Sequence, residues 1–395
     1  MNPNDDTDDQ AFRRRLREFL GATLPPGWGS ADYGLPTADD YEAFARDFQH
    51  RLSAAGLLCI GWPREYGGAD ATAAQVAIFN EEMSRHNAPQ LPNVAGVMLA
   101  GPVIYTYGSV EQKQRHLGAI RACREVWCQG FSEPGAGSDL AALKTRAELA
   151  GDRFVVTGQK VWTSFAHRAD WCMLLARTDP AAPKHRGLSL LLVDMKSPGV
   201  EVRPLRHLTG AVEFNELFFT EVQVPRGNLV GQLNSGWQIA MSTLMNERGG
   251  TGMAAAAKLE LTFSAVLKLW RAIAGGSERA ADSHVARQQL AQLYVEVQGL
   301  RHSARRLLMG QSGMRGGESS IIKVMWSELN QRMQEFALAL QGPASQLTQR
   351  SAGAVQNGWW QFEFLRARAN TIEMGTSEIH RNTIAERALG LPKFR

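Results

Sequence analysis

The strongest constraint on the fold is a hydrophobic period that changes twice along the chain. Short β-rich runs such as RFVVTGQKVWTS and NELFFTEVQVP, broken by Gly, Pro and Asp, fill residues 126–225. Helical periodicity precedes this block and resumes from Trp237. The pattern predicts a multi-domain α+β chain, with an N-terminal helical domain (10–122), a central β domain (123–226) and a C-terminal helical domain (227–395).

Length and composition fit this division. A chain of 395 residues with 44% apolar residues is long enough for two or three cores. Its acidic N-terminus, MNPNDDTDDQ, argues against a secretory or mitochondrial leader, and no apolar stretch is long enough to span a bilayer. The net charge of +4 is too small and too evenly spread to indicate nucleic-acid binding.

The four cysteines show neither a CxxC spacing nor an accompanying His cluster. We therefore predict reduced thiols, no bound metal and a cytoplasmic location.

Helical segments can be placed from the apolar spacing and the turn residues. In the N-terminal part they are predicted over 10–20, 38–55, 73–85 and the apolar stretch 94–107. In the C-terminal part they are predicted over 237–275, 284–312, 318–341, 346–369 and 376–389.

Two blocks of the β region are candidates for ligand binding. WCQGFSEPGAGSDLAAL (127–143) contains a Gly-rich turn whose main-chain N–H groups can approach a flat polar ligand or a phosphate, although an ordinary β-turn has the same composition. GQKVWTS (158–164) places Trp162 beside two hydroxyls. That tryptophan is either a stacking platform for a ring cofactor or a core residue.

Two further blocks lie in the C-terminal helical region. In 371–393, Gly375 and Thr376 open a helix whose N-terminus favours anions, while Glu378 there is also explained by helix capping. In 244–257, Glu247 and Arg248 precede a run of small residues on a predicted helix. This pair is either costly and functional if buried, or a surface salt bridge.

In order and spacing, these blocks resemble the acyl-CoA dehydrogenase family over essentially the whole chain. The likeness is carried by GWPREYGG, GSVEQKQRHL, QGFSEPGAGSD, GQKVWTS, FFTEVQVPRGNLVG and EMGTSEIHRNTIAERALGLP. It implies the acyl-CoA dehydrogenase fold: an N-terminal helical domain, a central β-barrel-like domain and a C-terminal four-helix bundle.

The resemblance also implies FAD as cofactor. Residues matching the family's flavin-ring contacts are Phe131, Ser132, Trp162 and Ser164. Thr376 and Glu378 are expected at the ADP portion, and Gln341 at the FAD of a neighbouring subunit. Ser138 is expected near both cofactor and acyl-CoA substrate.

The implied reaction is α,β-desaturation of an acyl thioester, with hydride transfer to flavin N5. The family stabilises the enolate with a main-chain N–H, which here belongs to Met374, next to Gly375 at the substrate. Many members carry their base where this chain has Met374, and methionine accepts no proton. A minority place it beside an arginine on the bundle helix, so the resemblance assigns proton abstraction to Glu247, with Arg248 in support, rather than to Glu373.

A second departure concerns assembly. In the family an Arg-x-x-Phe-Gly stretch often reaches the pyrophosphate of the partner subunit's FAD. The corresponding segment here, ADSHVARQQLAQLYVEVQGLR, has no Phe-Gly, and Arg287 is the candidate substitute. Similar chains occur in bacterial heteromeric dehydrogenases of steroid side-chain breakdown, so a homo-oligomer and a hetero-oligomer both stay open.

The expected substrate is a branched or bulky acyl-CoA, including a sterol side chain, and the expected acceptor is an electron-transfer flavoprotein. Alternatives are an acyl-CoA oxidase, a dehydrogenase of carrier-protein-bound acyl groups, and a non-catalytic subunit of a heteromer.

Overall fold

The computed structural model describes residues 7–28, 38–249, 251–274, 284–308, 317–349 and 351–393. The side chains of a few residues inside helices, including 245–249, lie outside the described set. Across the described ranges the chain forms eleven α-helices and eight β-strands. None of these helices combines the length and apolarity needed to cross a membrane.

The helices flank the strands along the chain, as the sequence predicts. The N-terminal helices are α1 (Thr7–Thr23), α2 (Ala38–Ala54), α3 (Ala73–Arg85), α4 (Gly101–Tyr107) and α5 (Val110–Arg121). The strands are β1 (Trp127–Gly130), β2 (Arg146–Ala150), β3 (Arg153–Ser164), β4 (Trp171–Arg177), β5 (Leu188–Asp194), β6 (Val200–Leu205), β7 (Phe214–Pro225) and β8 (Leu229–Val230). The C-terminal helices are α6 (Gly236–Gly249), α7 (Thr251–Ala274), α8 (His284–Leu308), α9 (Glu318–Gln341), α10 (Trp359–Ala367) and α11 (Ser377–Thr383).

These elements divide into two compact units, each built from separate stretches of chain. The helical unit comprises 1–34, 72–88 and 248–395, and the β unit comprises 35–71 and 89–247. The predicted domain boundaries at 122 and 226 stay a prediction, because the units are grouped by contact rather than by chain order.

The β unit is built on one mixed sheet in the order β6-β7-β3-β2-β4-β5-β8, with β1 paired in parallel to β4. Strands β4 and β5 read WCMLLAR and LSLLLVD, and all but their last residues are buried. Continuous apolar runs of this kind belong to strands covered on both faces. They therefore form the rigid centre to which β1 is attached.

The helical unit packs α7, α8, α9 and α10 around one apolar core that includes Val266, Leu300, Met333 and Trp360. Helix α3 contacts α7, and α1 contacts α3. Thr72 begins α3 with a capping box, accepting from Gln75 N while the Gln75 side chain accepts from Thr72 N.

The helix predicted over 237–275 is described as α6 and α7, on either side of residue 250, which lies outside the described residues. One predicted helix boundary was wrong. The helix predicted over 346–369 begins only at Trp359, because residues 356–358 all have positive φ (46°, 53° and 77°). Consecutive left-handed residues do not fit a right-handed α-helix.

Candidate functional site

In the β unit, β1 runs into an open turn, 131–138. Phe131 is buried, and the Ser132 carbonyl accepts from Val161 N at 2.9 Å, so the start of the turn is tied to β3. Glu133 and Ala136 then exchange two main-chain hydrogen bonds, of 3.1 and 3.0 Å. A Cβ added to Gly135 or Gly137 would meet nothing within 4 Å. The tip of the turn is therefore accessible to a ligand, as the sequence suggests.

Beneath this turn lies a buried ion pair, Lys160 with Glu133. The Lys160 side chain has no exposed surface, and its Nζ donates to the Phe131 carbonyl at 3.0 Å and to Glu133 Oε1 at 2.9 Å. Main-chain N–H groups of Lys144 and Thr145 donate to the same carboxylate, at 2.7 and 2.8 Å. One lysine thus connects β3, the end of β1 and the chain entering β2.

Burial and pairing act differently on the two pKa values. Burial lowers the pKa of Lys160 to about 8, although Glu133 favours its charged form. Burial alone would raise the pKa of Glu133, but the Lys160 ammonium and the hydrogen bonds from Thr145 and Lys144 hold it below its usual value. Burial therefore dominates the pKa of the lysine, which is fully buried, whereas the extra hydrogen-bond donors around the carboxylate outweigh burial there.

Two residues beyond Lys160, strand β3 carries an exposed tryptophan. The register of β3 against β7 shifts between Lys160 and Thr163, and Trp162 lies in this bulge with φ 61°. Trp162 is 60% exposed and meets the edge of Phe214 at 5.9 Å. The alternative that Trp162 is a core residue is therefore wrong. Ser164 is also exposed, two residues along the strand.

The surroundings of this platform fit a flat, polar ring cofactor such as a flavin. Among the described residues, neither Gln129 Nε2 nor Thr163 Oγ1 has a hydrogen-bond partner, although both atoms are buried. Unpaired buried groups cost free energy unless a ligand or water satisfies them. Gln129 precedes the 131–138 turn on β1, and Thr163 follows Trp162 on β3. An aromatic platform, an open turn and unused polar groups are what such a ring requires.

Helix α6, which carries Glu247 and Arg248 near its C-terminal end, starts from a fixed point on the sheet. Asn234 (φ 65°) donates its main-chain N–H to Ser189 Oγ at 2.8 Å, and Thr178 Oγ1 lies 2.7 Å from the same hydroxyl. A Cβ on Gly236 would come within 2.6 Å of the Ser189 main chain. The side chains of Glu247 and Arg248 lie outside the described residues.

In the helical unit, the predicted enolate-binding segment is a tight turn before α11. Met374 (φ 55°) and Gly375 (φ 94°) are both left-handed, and the Met374 carbonyl lies 3.1 Å from His380 Nε2. Thr376 caps α11, its Oγ1 accepting from Ile379 N at 3.2 Å. Glu378 is exposed, and hydrogen bonds from its own main-chain N–H and from Thr376 lower its pKa. Capping therefore describes the observed roles of Thr376 and Glu378 within the chain.

Polar residues of α9 support this turn from below. Lys323 is buried and donates to the Asn370 carbonyl at 2.7 Å. Asn370 Nδ2 donates to Glu373 at 2.8 Å, and Arg366 lies 3.2 Å from the same carboxylate. Glu373 is thus engaged in holding its own turn.

The other expected cofactor contacts of the helical unit are placed as follows. Gln341 ends α9 and is buried; its Nε2 donates to the Ala337 carbonyl at 3.1 Å and its Oε1 accepts from Gln361 at 3.3 Å. Arg287 is exposed near the start of α8.

The structure therefore brings the predicted site residues together in two sets. Phe131, Ser132, Trp162 and Ser164 lie along β1 and β3 of the β unit, with Ser138 exposed at the end of the turn. Met374, Gly375, Thr376, Glu378 and Gln341 belong to the helical unit. Sequence reasoning missed Lys160 and Lys323, whose only signal is a charged residue inside an otherwise strand- or helix-like run.

Comparison with known proteins gives consistent matches along the chain. The three domain profiles of the acyl-CoA dehydrogenases match in order: the N-terminal domain at residues 6–123, the middle domain at 128–222 and the C-terminal domain at 234–389. "Acyl-CoA dehydrogenase IpdE1" of Mycobacterium tuberculosis is 39% identical, covering 98% of this chain and 98% of its own length.

Two solved structures also superpose over the full chain. "Tcur3481-Tcur3483 steroid ACAD" has a TM-score of 0.84 at 28% identity, covering 100% of both chains. The ChsE4-ChsE5 complex from Mycobacterium tuberculosis has a TM-score of 0.84 at 31% identity, with the same coverage.

Proposed function

Because the chain belongs to the acyl-CoA dehydrogenase family and is an oxidoreductase of that class, we propose that it uses FAD to dehydrogenate a branched or bulky acyl-CoA at its α,β-bond. The observation that carries the cofactor assignment is Trp162, a large indole held outward beside the open 131–138 turn. Bound flavin supplies the hydride acceptor. The rest of the chemistry belongs to residues of this chain.

Glu247 is the proposed base that removes the α-proton. The position before Gly375 is Met374, which has no proton acceptor, and Glu373 is held by Asn370 and Arg366. Glu247 lies on α6, a helix whose start is fixed on the sheet by Asn234 and Gly236. A carboxylate desolvated by bound substrate has a raised pKa and becomes a stronger base.

Stabilisation of the developing enolate is assigned to the main-chain N–H of Met374. A donor aimed at the thioester oxygen acts most strongly where the negative charge forms. The left-handed conformations of Met374 and Gly375, supported by His380, keep this peptide in one orientation. Arg248 is proposed as a neighbouring positive charge that helps to hold the thioester.

The test of the base is Glu247→Gln, with Glu373→Gln as the matched control. The expected result for Glu247→Gln is loss of flavin bleaching by substrate, by about 10²- to 10⁴-fold in rate, with FAD still bound. Glu373→Gln is expected to bleach at nearly the wild-type rate. Undiminished bleaching in Glu247→Gln, or its loss only in Glu373→Gln, contradicts the assignment.

The proposed substrate class is supported by small residues after Arg248, GGTGMAAAA, which leave room for a bulky group. It is also supported by the full-length likeness to "Tcur3481-Tcur3483 steroid ACAD". Steady-state rates on a panel of acyl-CoAs check it. Fastest turnover on a straight medium chain contradicts it.

The proposed acceptor is an electron-transfer flavoprotein, and the alternative is O₂. Peroxide formation during turnover without a protein acceptor distinguishes the two. Turnover on an acyl carrier protein in place of the CoA thioester tests the carrier-bound alternative.

A further inference from the structure

The Lys160–Glu133 pair is not used by the proposed chemistry, yet it lies next to both segments that carry the predicted flavin contacts of the β unit, Phe131–Ser132 and Trp162–Ser164. Glu133 follows Ser132 in sequence, and Lys160 precedes Trp162 by two residues. The Lys160 ammonium, 3.0 Å from the Phe131 carbonyl, is fully buried.

The hydrogen bonds around this pair form a closed circuit. Lys160 holds Glu133, Glu133 accepts from Thr145 N, and Thr145 Oγ1 donates to the Gln159 carbonyl, next to Lys160. Val161 N donates to the Ser132 carbonyl across the same gap. The 131–138 turn and the Trp162 bulge are thus fixed to each other by one main-chain hydrogen bond and by the Lys160 ammonium.

Stability alone is a weak explanation for such a pair. Replacing a buried ion pair with apolar residues is often neutral or stabilising, because desolvating two charges costs more than their attraction returns. The Trp162 bulge also carries a left-handed backbone, which needs surrounding structure to hold it. An ion pair at this point supplies position rather than net stability.

We propose that Lys160 is a positioning residue for the cofactor, an inference that rests on the flavin site proposed above. Together with Glu133 it sets the separation between the Phe131–Ser132 main chain and the Trp162 ring, so FAD affinity depends on the charge of the Lys160 ammonium. It is a positioning residue rather than a catalytic one, because its side chain has no exposed surface and its ammonium is engaged by Phe131 and Glu133.

The test measures FAD binding to full-length apoprotein by the quenching of flavin fluorescence. Lys160→Met is expected to raise the Kd for FAD by about 10- to 100-fold, the loss of one charged hydrogen-bonding group. Lys184→Met is the matched control, since it removes an exposed pair with Asp139 (2.9 Å), the residue just after the 131–138 turn. The control is expected to bind FAD as wild type does.

A pH series on the unmutated chain gives a second measurement that needs no variant to fold. The groups facing the ammonium are the Phe131 carbonyl, the Glu133 carboxylate and the Cys172 thiol of β4. The wild-type Kd is expected to rise as the pH passes about 8, where Lys160 loses its proton. Lys160→Met is expected to lack this dependence.

Each outcome decides the inference. A wild-type Kd that is flat from pH 7 to 9, or a folded Lys160→Met that binds FAD like wild type, overturns it. If the single variant aggregates, the double variant Lys160→Met/Glu133→Gln replaces it in the comparison with wild type, because it leaves no unpaired buried charge. A wild-type chain that binds no FAD instead contradicts the proposed function itself.

Discussion

At the scale of single residues, the site depends on the point in β3 where buried and exposed side chains stop alternating. Along β3, Lys160 and Val161 are both buried, whereas Trp162 is exposed and Thr163 buried again. A strand of regular period would place Lys160 and Trp162 on the same face. The sequence predicts a strand and a Gly-rich turn here, but the bulge depends on pairing with β7, a strand some 55 residues later in the chain. This is why Trp162 was recognisable as a candidate and Lys160 was not.

Trp162→Ala separates binding from folding at this position. Because the Trp162 side chain is 60% exposed and its backbone is left-handed, removal of this side chain is expected to change the free energy of unfolding by less than about 1 kcal/mol. The Kd for FAD is expected to rise about tenfold, the effect of one lost stacking contact. Leu149→Ala, an exposed apolar residue on β2, is the control for general surface effects. Equal Kd values in all three proteins would exclude a flavin contact for Trp162.

At the scale of elements, most helices could be predicted and their ends were the weak point. The apolar spacing over 318–341 predicts a helix with the bounds that α9 has in the structure, since the apolar residues recur along one face. The 346–358 stretch has enough apolar residues to suggest a helix, yet three left-handed residues precede Trp359. Such local conformations are fixed by tertiary packing, as where Gly358 lies against Gln349, and periodicity does not show them.

The start of α6 offers a test of how that helix is positioned. A methyl group at 236 would meet the Ser189 main chain, so Gly236→Ala is expected to lower the free energy of unfolding by about 1–3 kcal/mol and to slow substrate-dependent flavin reduction. A Cβ added at Gly227 would meet nothing within 4 Å, so Gly227→Ala is the matched control. Normal flavin reduction in a folded Gly236→Ala would show that the helix tolerates a shifted start.

Helices α1 and α3 are joined by a charged contact that makes stability depend on pH. Arg17 donates to both oxygens of Glu82 at 2.8 Å, Arg13 also contacts this carboxylate, and the Glu82 side chain is fully buried. Burial alone would raise the pKa of Glu82, but the two arginines hold it below its usual value. The contribution is therefore complete above the ordinary glutamate pKa and is lost as the pH falls through the lower, folded value.

Glu82→Gln is expected to lower the free energy of unfolding by about 1–2 kcal/mol near neutral pH, because Arg17 loses its carboxylate partner while Arg13 keeps Glu81 at 2.9 Å. Urea unfolding of wild type and variant should converge as the solution is acidified. Glu18→Gln changes an exposed carboxylate of α1 and controls for net charge. A constant difference at all pH values would contradict the ionic origin.

At the scale of the whole molecule, the order of helical, β and helical segments follows from the sequence, and the family shows the same order in its three domains. The sequence does not show which helices share a core. By their contacts, α1 and α3 belong with α7 in the helical unit, whereas α2, α4 and α5 belong to the β unit. Local periodicity is the same in either grouping.

The assembly is tested by the ratio of FAD to chain. Gln341 is bonded to Ala337 and Gln361 of its own chain, and the Phe-Gly of the family's partner-reaching stretch is absent. We therefore expect the isolated chain to bind FAD at a ratio above zero but below one per chain, and a second, different subunit to change that ratio. A yellow homo-oligomer with one FAD per chain would contradict a heteromeric assembly.

The interleaving of the two units has a consequence for synthesis on the ribosome. Arg85 of α3 bonds Glu260 of α7 at 2.8 Å across 175 positions of sequence. At about 5–20 residues per second, the N-terminal helices of the helical unit wait roughly ten to thirty seconds for their partners to be translated. During that interval α1 already covers part of α3, but the side of α3 that contacts α7 has no native cover, so this segment is where a nascent chain would need a chaperone.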